Sequence, residues 1–231
     1  MKKFELTAEF VTNVFGKKLF RIKALVAFGD VEKGELGGFI EKEDNLSHDD
    51  NAWVYGNAQV SGNAWVSGNA QVSGNAWVSG NAQVFGDARV FGDARVCGNA
   101  QVFDNARVFG DAQVFGDARV SGNAQVFGDA RVFGDARVFG DARVSGNAWV
   151  SGNAQVFGDA DYAVVAGFGR YFRTTTFFRC KDKILRVQCG CFYGDLAQFR
   201  EIVKKTHGDS KYAKEYLAIA DLMELHFSDE Y

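Results

Sequence analysis

Small apolar residues recur at fixed intervals through the middle of the chain. From Ala52 to Asp159 a six-residue phrase repeats: Ala, a variable residue, Val, Ser or Phe, Gly, then Asn or Asp. Counted by its first Ala, up to Ala154, the phrase occurs 18 times without insertion. Ala and Val lie two positions apart, so a β-strand points both to one face and the intervening residues to the other. Gly followed by Asn or Asp favours a bend, and a period kept this long is typical of a solenoid.

The repeat divides the 231-residue chain into three parts. We predict an N-terminal β-rich cap at residues 1–51, a hexapeptide-repeat β-helix at 52–159, and a small C-terminal α+β cap at 160–231. The predicted fold class is therefore mainly β. The caps are expected because the end coils of a solenoid would otherwise expose strand edges that promote aggregation.

The phrase resembles the hexapeptide-repeat, left-handed β-helix family. In that family an aliphatic residue and a small residue four positions later both point inward. Val54 and Ala58 match this pattern, and the match continues to Val156 and Ala160. The resemblance implies a triangular prism with three phrases per coil and about six coils, or about 29 Å of length at the usual strand spacing. Residues 18 apart should then lie above one another.

This stacking would place Phe side chains in ladders on the outside of every face. Stacked rings stabilise one another, whereas a large exposed apolar patch usually marks an interface. We expect self-association through the ladders into a dimer or trimer. The alternative is a self-contained ladder whose rings lie flat and shield one another. The predicted interface residues are Phe85, Phe91, Phe103, Phe109, Phe115, Phe127, Phe133, Phe139 and Phe157.

Charge in the repeat is matched locally. Arg usually follows Asp by two positions, as in Asp87 and Arg89, and the repeat holds 7 Arg and 9 Asp in a chain of net charge −3. A nucleic-acid-binding protein would not neutralise its arginines so regularly, so we expect no nucleic-acid partner. No apolar run reaches membrane-spanning length, and Glu5 and Glu9 interrupt any signal-peptide core. We therefore expect a cytoplasmic protein without membrane contact.

Catalysis is not expected within the repeat. The resemblance includes acyltransferases, which use a His general base near a loop that breaks the coil, and γ-class carbonic anhydrases, which bind a metal through His. The repeat has no His, Lys or Glu, and the histidines His48, His207 and His226 lie in the flanks. We predict no catalytic residue, no metal and no cofactor. A degenerate acyltransferase relative is the enzymatic alternative.

Several flanking motifs are similar to bacterial, prophage and phage proteins that carry labels such as polymer-forming. The resemblance implies a phage- or prophage-encoded interaction protein, acting in the host-cell cytoplasm, and it carries no established activity. The motifs are Phe28-Gly29-Asp30-Val31, Gly37-Gly38-Phe39-Ile40-Glu41, Asn45-Leu46-Ser47-His48, Cys189-Gly190-Cys191-Phe192 and Thr206-His207-Gly208-Asp209-Ser210.

The stretch from Glu41 to Asp50 is acidic and polar. It is either a solvated lead-in to the first coil, which we favour, or a cation site, because hard cations prefer clustered carboxylates. Its spacing fits no calcium loop, and His48 has no evident partner in the sequence.

The C-terminal part is predicted to form short strands and then two helices. β-like runs cover residues 162–166, 170–180 and 184–191. Asp195 is a candidate N-cap for a helix over 196–205, and Ser210 begins a second helix that ends near Phe227. The apolar stripe of the second helix is expected to pack on the small sheet or the last coil, with partner docking as the alternative.

Basic and aromatic residues are interleaved between positions 170 and 186. Arg together with aromatic rings suits phosphate recognition and base stacking. A module that sequesters a host nucleotide signal, or blocks a host factor, is therefore a second functional hypothesis. The alternative is one solvated sheet face above one buried face, which we favour. The candidate anion-binding residues are Arg170, Tyr171, Arg173, Phe178, Arg179, Lys181, Lys183 and Arg186.

The cysteines Cys97, Cys180, Cys189 and Cys191 are too few and too scattered for a disulfide framework. Cys189 and Cys191 on one strand would place both sulfurs on one face, near which His207 is a candidate third ligand. The spacing is not typical of a metal site, so we expect buried thiols.

Overall fold

The repeat folds as a parallel β-solenoid in the computed structural model, which describes residues 2–228. A region of antiparallel strands precedes the solenoid, and a sheet covered by helices follows it. This confirms the mainly β fold class, with a strand region before the repeat and a helix-containing cap after it.

Before the repeat the chain forms β1 (Phe4–Thr12), β2 (Lys18–Ala24) and β3 (Leu36–Ile40). β1 and β2 make an antiparallel hairpin whose turn contains Gly16 at φ +76°. β3 pairs antiparallel with β2 on one side and parallel with a solenoid strand on the other. This strand therefore joins the hairpin to the solenoid in one continuous sheet.

Each phrase of the repeat contributes a two-residue strand made of the variable residue and Val. A strand pairs in parallel with the strand 18 residues later, for example Arg89 with Arg107 and Val90 with Val108. This register confirms the predicted stacking of every third phrase. In chain order the strands are β4 Trp53–Val54, β5 Gln59–Val60, β6 Trp65–Val66, β7 Gln71–Val72, β8 Trp77–Val78, β9 Gln83–Val84, β10 Arg89–Val90, β11 Arg95–Val96, β12 Gln101–Val102, β13 Arg107–Val108, β14 Gln113–Val114, β15 Arg119–Val120, β16 Gln125–Val126, β17 Arg131–Val132, β18 Arg137–Val138, β19 Arg143–Val144, β20 Trp149–Val150 and β21 Gln155–Val156.

The solenoid begins before the first complete phrase. Ile40 of β3 pairs with Val60, and Leu46 bridges to Val66. These two residues begin an additional, incomplete turn beneath the first three-phrase coil, so the solenoid has about seven turns where the repeat alone predicted six. The extra turn does not follow the phrase, because Ile and Leu replace Val and the pairing spans 20 residues (60 − 40).

Ala and Val of the phrase fill the interior. Every such Ala from Ala52 to Ala154 and every such Val from Val54 to Val156 is fully buried. The Phe residues of the repeat lie outside this continuous core. The inward placement of Ala and Val, and the outward placement of Phe, are thus confirmed.

Gly turns the corners of the solenoid. Between Gly56 and Gly152 the repeat glycines have φ values of +60° to +74°, a conformation that other L-residues adopt only at a cost of about 1–2 kcal/mol. A Cβ added to Gly98 would lie 2.9 Å from the backbone nitrogen of Gly116 in the next coil. The corner therefore requires Gly both for its dihedral angle and for the close stacking of coils.

The acidic lead-in holds the hairpin against the solenoid. The Glu41 carboxylate pairs with Lys17 at 2.8 Å and accepts a hydrogen bond from the amide of Gly62 at 2.6 Å. His48 Nδ1 accepts from the amide of Lys3 at 3.2 Å, so the expectation that His48 lacks a partner is wrong. Within residues 2–228 no group of His, Cys, Asp and Glu side chains is arranged to hold a metal ion.

After a short 3-10 turn, the C-terminal cap forms an antiparallel sheet and, within the residues that the structure describes, two helices. Asp195 caps the first helix by accepting from the amide of Gln198 at 2.8 Å, and Ser210 caps the second, as the sequence predicted. β25 was not predicted, since it is only four residues long and follows a tight turn. The elements are β22 (Tyr162–Phe168), β23 (Arg173–Arg179), β24 (Leu185–Cys189), β25 (Phe192–Asp195), α1 (Leu196–His207) and α2 (Lys211–His226).

The cap sheet lies between the solenoid and the helices. Phe178 joins the solenoid core, whereas its neighbour Phe177 joins a second core with α1 and α2. Thr176 Oγ1 accepts a hydrogen bond from the backbone amide of Trp149 at 3.0 Å, which ties β23 to the last coil. The buried stripe of α2 contributes to the second core, so the prediction that it packs on the small sheet is confirmed.

In the part of the chain that the structure describes, neither helix has the length and apolarity needed to cross a membrane.

Candidate functional site

The predicted interface Phe residues form ladders with closely parallel rings. The ring centroids of Phe91 and Phe109 are 4.8 Å apart with an interplanar angle of 1°, and those of Phe109 and Phe127 are 5.0 Å apart. The pairs Phe115–Phe133 and Phe85–Phe103 repeat this geometry at 5.0 Å. Such contacts let each ring cover much of the next one.

The ladders are half-buried rather than fully exposed. Eight of the nine predicted interface rings are of this kind, and the exception is Phe157, at the end of its ladder, with 62% of its surface exposed. Phe157 meets Phe139 edge-on at 5.3 Å instead of stacking on it. The face that carries these two rings also carries Trp65, which is 46% exposed. The stacked rings therefore shield one another, as in the alternative of a self-contained ladder. Their outer edges still form an apolar strip on each face.

The arginines of the repeat do not form ion pairs with the neighbouring aspartates. Within residues 2–228 no Arg and Asp of the repeat come within 4.0 Å. The aspartates lie at the corners instead, where Asp93 accepts from the side chain of Asn75 at 3.1 Å and Asp117 accepts from Asn99 at 2.9 Å. Arg projects from the flat face, since the corner bends away from it. The local charge matching thus exists in sequence and not as contact pairs.

The predicted basic and aromatic cluster is not brought together as one site. Arg170, Tyr171 and Arg173 lie near the start of β23, while the other basic residues lie near its end. At that far end Arg186 pairs with Asp182 at 2.7 Å. Also at that end, Arg179 donates to the Phe227 carbonyl at 3.0 Å, and Lys181 and Lys183 are exposed. Phe178 is fully buried at the junction with the solenoid.

A cavity of about 300 Å³ opens beside the first group of residues, and we name it the cap cavity. Phe192, Phe199 and Val203 contribute apolar side chains to its lining, and Arg170 and Arg173 also line it. In the described part of the chain, no ion pair within 4.0 Å involves either of these arginines. The cavity therefore combines an apolar interior with two guanidinium groups that make no close ion pair within residues 2–228.

The Tyr171 ring lies close to both of these guanidinium groups. The guanidinium carbon of Arg173 lies 5.1 Å from the centre of the Tyr171 ring, and that of Arg170 lies 5.7 Å from it. Cation–π contacts of this kind contribute about 0.5–1 kcal/mol at exposed sites. They keep the three side chains together at the edge of the cap cavity.

Tyr216 and His207 also line the cap cavity. Burial raises the pKa of Tyr216 to about 12, so its hydroxyl stays protonated at neutral pH. That hydroxyl donates to the Phe168 carbonyl at 3.4 Å. The rings of His207 and Tyr216 stack at 5.8 Å. These contacts join α1, α2 and β22 around the cavity.

The cysteines do not share one environment. Cys189 ends β24 and accepts a hydrogen bond from Thr175 Oγ1 at 3.2 Å, whereas Cys191 lies in the following turn and is exposed. Cys189 and Cys191 are therefore not on one strand. Of Cys180, Cys189 and Cys191, only Cys180 is buried as expected. Burial raises the pKa of the Cys180 thiol to about 11.

A second concavity of about 530 Å³, the junction groove, lies where the cap meets the solenoid. The solenoid contributes Arg131 and Trp149, with the guanidinium group 5.0 Å from the centre of the indole. Arg173 lines both the junction groove and the cap cavity. Sequence reasoning missed the two solenoid residues, since nothing in the repeat indicates against which coil face the cap will dock.

Comparison with protein families supports the solenoid. A family model described as the YdcK beta solenoid repeat matches residues 58–72, 70–84, 82–98, 100–114, 112–126, 124–138 and 136–152. These matches cover less than half of the chain and lie within the solenoid, so they show what the repeat is similar to. The left-handed winding implied by the hexapeptide-repeat resemblance stays a prediction. No curated protein matches the chain.

Proposed function

We propose that the protein is a non-catalytic scaffold whose solenoid faces self-associate along the Phe ladders. The observation that carries this proposal is the regular apolar strip left by the ring edges, which ends in the exposed Phe157. A half-buried strip on a flat, rigid face gains by being covered, since burying apolar surface is worth roughly 25 cal/mol per Å².

The regular spacing supports a second copy of the chain as the occupant. Ring centroids within a ladder recur every 4.8–5.0 Å. Another copy carries the same spacing, so two ladders can align ring against ring over several coils. A flat partner without this period would meet fewer of the rings.

The charges of the faces support the same occupant. Within residues 2–228 the repeat arginines have no carboxylate within 4.0 Å. A second solenoid would bring its own corner aspartates towards these arginines at the rim of the contact. Such rim pairs affect specificity and association rate more than affinity.

Catalysis stays outside this proposal because the repeat lacks the His general base that the acyltransferases of the resembling family use. It contains no His, Lys or Glu, and the burial of every repeat Val and Ala leaves no opening into the prism. The resemblance of the flanking motifs is the basis on which we propose a phage or prophage origin and a place in the host-cell cytoplasm.

Sedimentation velocity across a wide concentration range tests the assembly. We expect a dimer or trimer at tens of micromolar for the full chain. The double variant Phe139→Ser/Phe157→Ser should shift the distribution towards monomer, because Ser already occupies this position in other phrases. The control is Leu222→Ser, which removes an exposed apolar side chain from α2 (56% exposed) and should leave the assembly unchanged. A monomer at millimolar concentration, or equal effects of both variants, would contradict the proposal.

A further inference from the structure

We propose that the cap cavity binds a nucleotide, with the base against its apolar lining and the phosphate at Arg173 and Arg170. This site is separate from the Phe ladders and does not depend on self-association.

The composition of the cavity points to an amphipathic anion. Phe192, Phe199 and Val203 offer an apolar surface, and Arg170 and Arg173 offer positive charge beside it. A volume of about 300 Å³ falls at the small end of ligand sites, which fits a molecule of nucleotide size. Guanidinium groups bind phosphate through paired N–H donors, and aromatic rings stack on bases.

The turn that carries the two exposed arginines is tied to the rest of the cap. Arg173 lies over the turn at Gly190, where an added Cβ would come 2.6 Å from its Nη1 atom. The turn before β23 is fixed by the amide of Gly169, which donates to the Glu215 carboxylate of α2 at 3.0 Å. Tyr171 contacts both guanidinium groups from the same turn. A turn anchored in this way lowers the entropy cost of bringing both arginines to one ligand.

The position of Arg173 extends the site towards the solenoid. Because Arg173 also lines the junction groove, a phosphate bound to it would lie where the cap cavity and the groove adjoin. The solenoid face and the cap would thus contribute to one binding region. A ligand bound only through Arg173 would not contact the apolar side chains of the cap cavity.

Isothermal titration calorimetry on the full chain tests the site with nucleoside 5′-monophosphates of the four common bases. Adenosine and inorganic phosphate are the separate halves of such a ligand. We expect at least one nucleotide to bind with a Kd tighter than about 1 mM, and to bind more tightly than either half.

Two variants locate the binding. Arg173→Gln should weaken it by about tenfold or more, since the variant loses a charge-assisted hydrogen bond to the phosphate. Tyr171→Ala should weaken it less. Both side chains are exposed, so both variants should fold. The matched control is Lys181→Gln, an exposed cation at the other end of the same sheet that should leave binding unchanged.

Several results would overturn the assignment. They are the absence of binding by every nucleotide, equal losses for Arg173→Gln and Lys181→Gln, and inorganic phosphate binding as tightly as the nucleotide. The Phe139→Ser/Phe157→Ser variant keeps the cap cavity intact, so its nucleotide affinity separates this proposal from the assembly proposal.

Discussion

Asp104 and Gly122 are joined by a hydrogen bond between adjacent coils. The amide of Gly122 donates to Asp104 Oδ2 at 3.0 Å. Asp104 has φ +57°, the left-handed conformation that Gly adopts at the other corners from Gly56 to Gly152. The side-chain bond offsets part of the strain that an L-residue suffers there, so the one departure from Gly at a repeat corner up to Gly152 is accommodated by its own carboxylate.

Replacement of Asp104 should separate the strain from the hydrogen bond. Asp104→Ala keeps the unfavourable φ and loses the bond, so we expect a loss of about 1–2 kcal/mol in the free energy of unfolding. Asp104→Gly removes both and should lie close to the wild type. Urea unfolding followed by circular dichroism measures the difference, and equal stability of the two variants would show that Asp104 is unstrained.

Replacement by Ala should lower stability by different amounts at two corner glycines. Gly98 and Gly146 have φ +72° and +60°, but a Cβ at Gly98 would meet the backbone of the next coil at 2.9 Å, whereas a Cβ at Gly146 would meet nothing within 4 Å. Gly146→Ala should show the dihedral cost alone, about 1 kcal/mol, and Gly98→Ala a further 1–3 kcal/mol, roughly the range for overpacking. Thermal unfolding of the two variants under the same conditions tests whether Gly98→Ala is the less stable one. The coil-stacking argument fails if Gly146→Ala is the less stable variant.

Substitutions in the ladders should depend on the position of the ring. Phe109 stacks on rings above and below, while Phe157 is 62% exposed and has a single edge contact. We expect Phe109→Ser to lower the free energy of unfolding by about 1–2 kcal/mol and Phe157→Ser to change it by roughly half that or less. Chemical unfolding at low protein concentration keeps the comparison free of association. A larger effect at Phe157 would contradict the stacking contribution.

Lys3 should make stability rise with pH above neutrality. Its ammonium group donates to the carbonyls of Asp49, Asp50 and Ala52 at 3.3, 3.2 and 2.9 Å, and burial lowers its pKa to about 8 from 10.5. Between these values the unfolded chain keeps the proton that the folded chain has lost, so the free energy of unfolding increases with pH in this window and is unaffected below it.

The comparison that isolates this effect is the wild type against Lys3→Met at pH 7.5 and 9.5. Other groups, such as the Cys180 thiol, titrate in both proteins, so they cancel in the difference. We expect the stability of the wild type relative to the variant to be greater at pH 9.5. A constant or decreasing difference would rule out a lowered pKa for Lys3.

The thiols should react in an order set by burial. Cys191 is exposed, Cys97 is half-buried and Cys180 is buried, and burial raises the pKa of the latter two thiols. Because the thiolate is the nucleophile, iodoacetamide at pH 8 should label Cys191 first and Cys180 only after unfolding. Peptide mass spectrometry gives the order directly, and early labelling of Cys180 would show that the junction with the cap opens readily.

Local pattern determined most of the fold. The spacing of Ala and Val fixed which side chains turn inward, since side chains alternate along a strand. The unbroken six-residue period, together with the three phrases per coil that the hexapeptide-repeat resemblance implies, predicted the spacing of 18 residues and with it the Phe ladders. Asp195 and Ser210 fixed the starts of α1 and α2, because an N-cap acts within one helical turn. Each of these inferences involves residues that are close together in sequence.

The candidate site depended on contacts that no local pattern contains. The sequence placed Arg173 and Arg186 in one cluster. Arg173 begins β23, whereas Arg186 lies on β24 opposite Phe178, near the other end of β23. Within residues 2–228, only Arg186 of these two has a carboxylate within 4.0 Å. Trp149 and Arg173 are far apart in sequence and line one groove because the cap docks on the last coils. The sequence alone therefore determined the solenoid, whose geometry repeats a short-range rule. The tertiary structure decided the cavity, whose residues meet only through long-range packing.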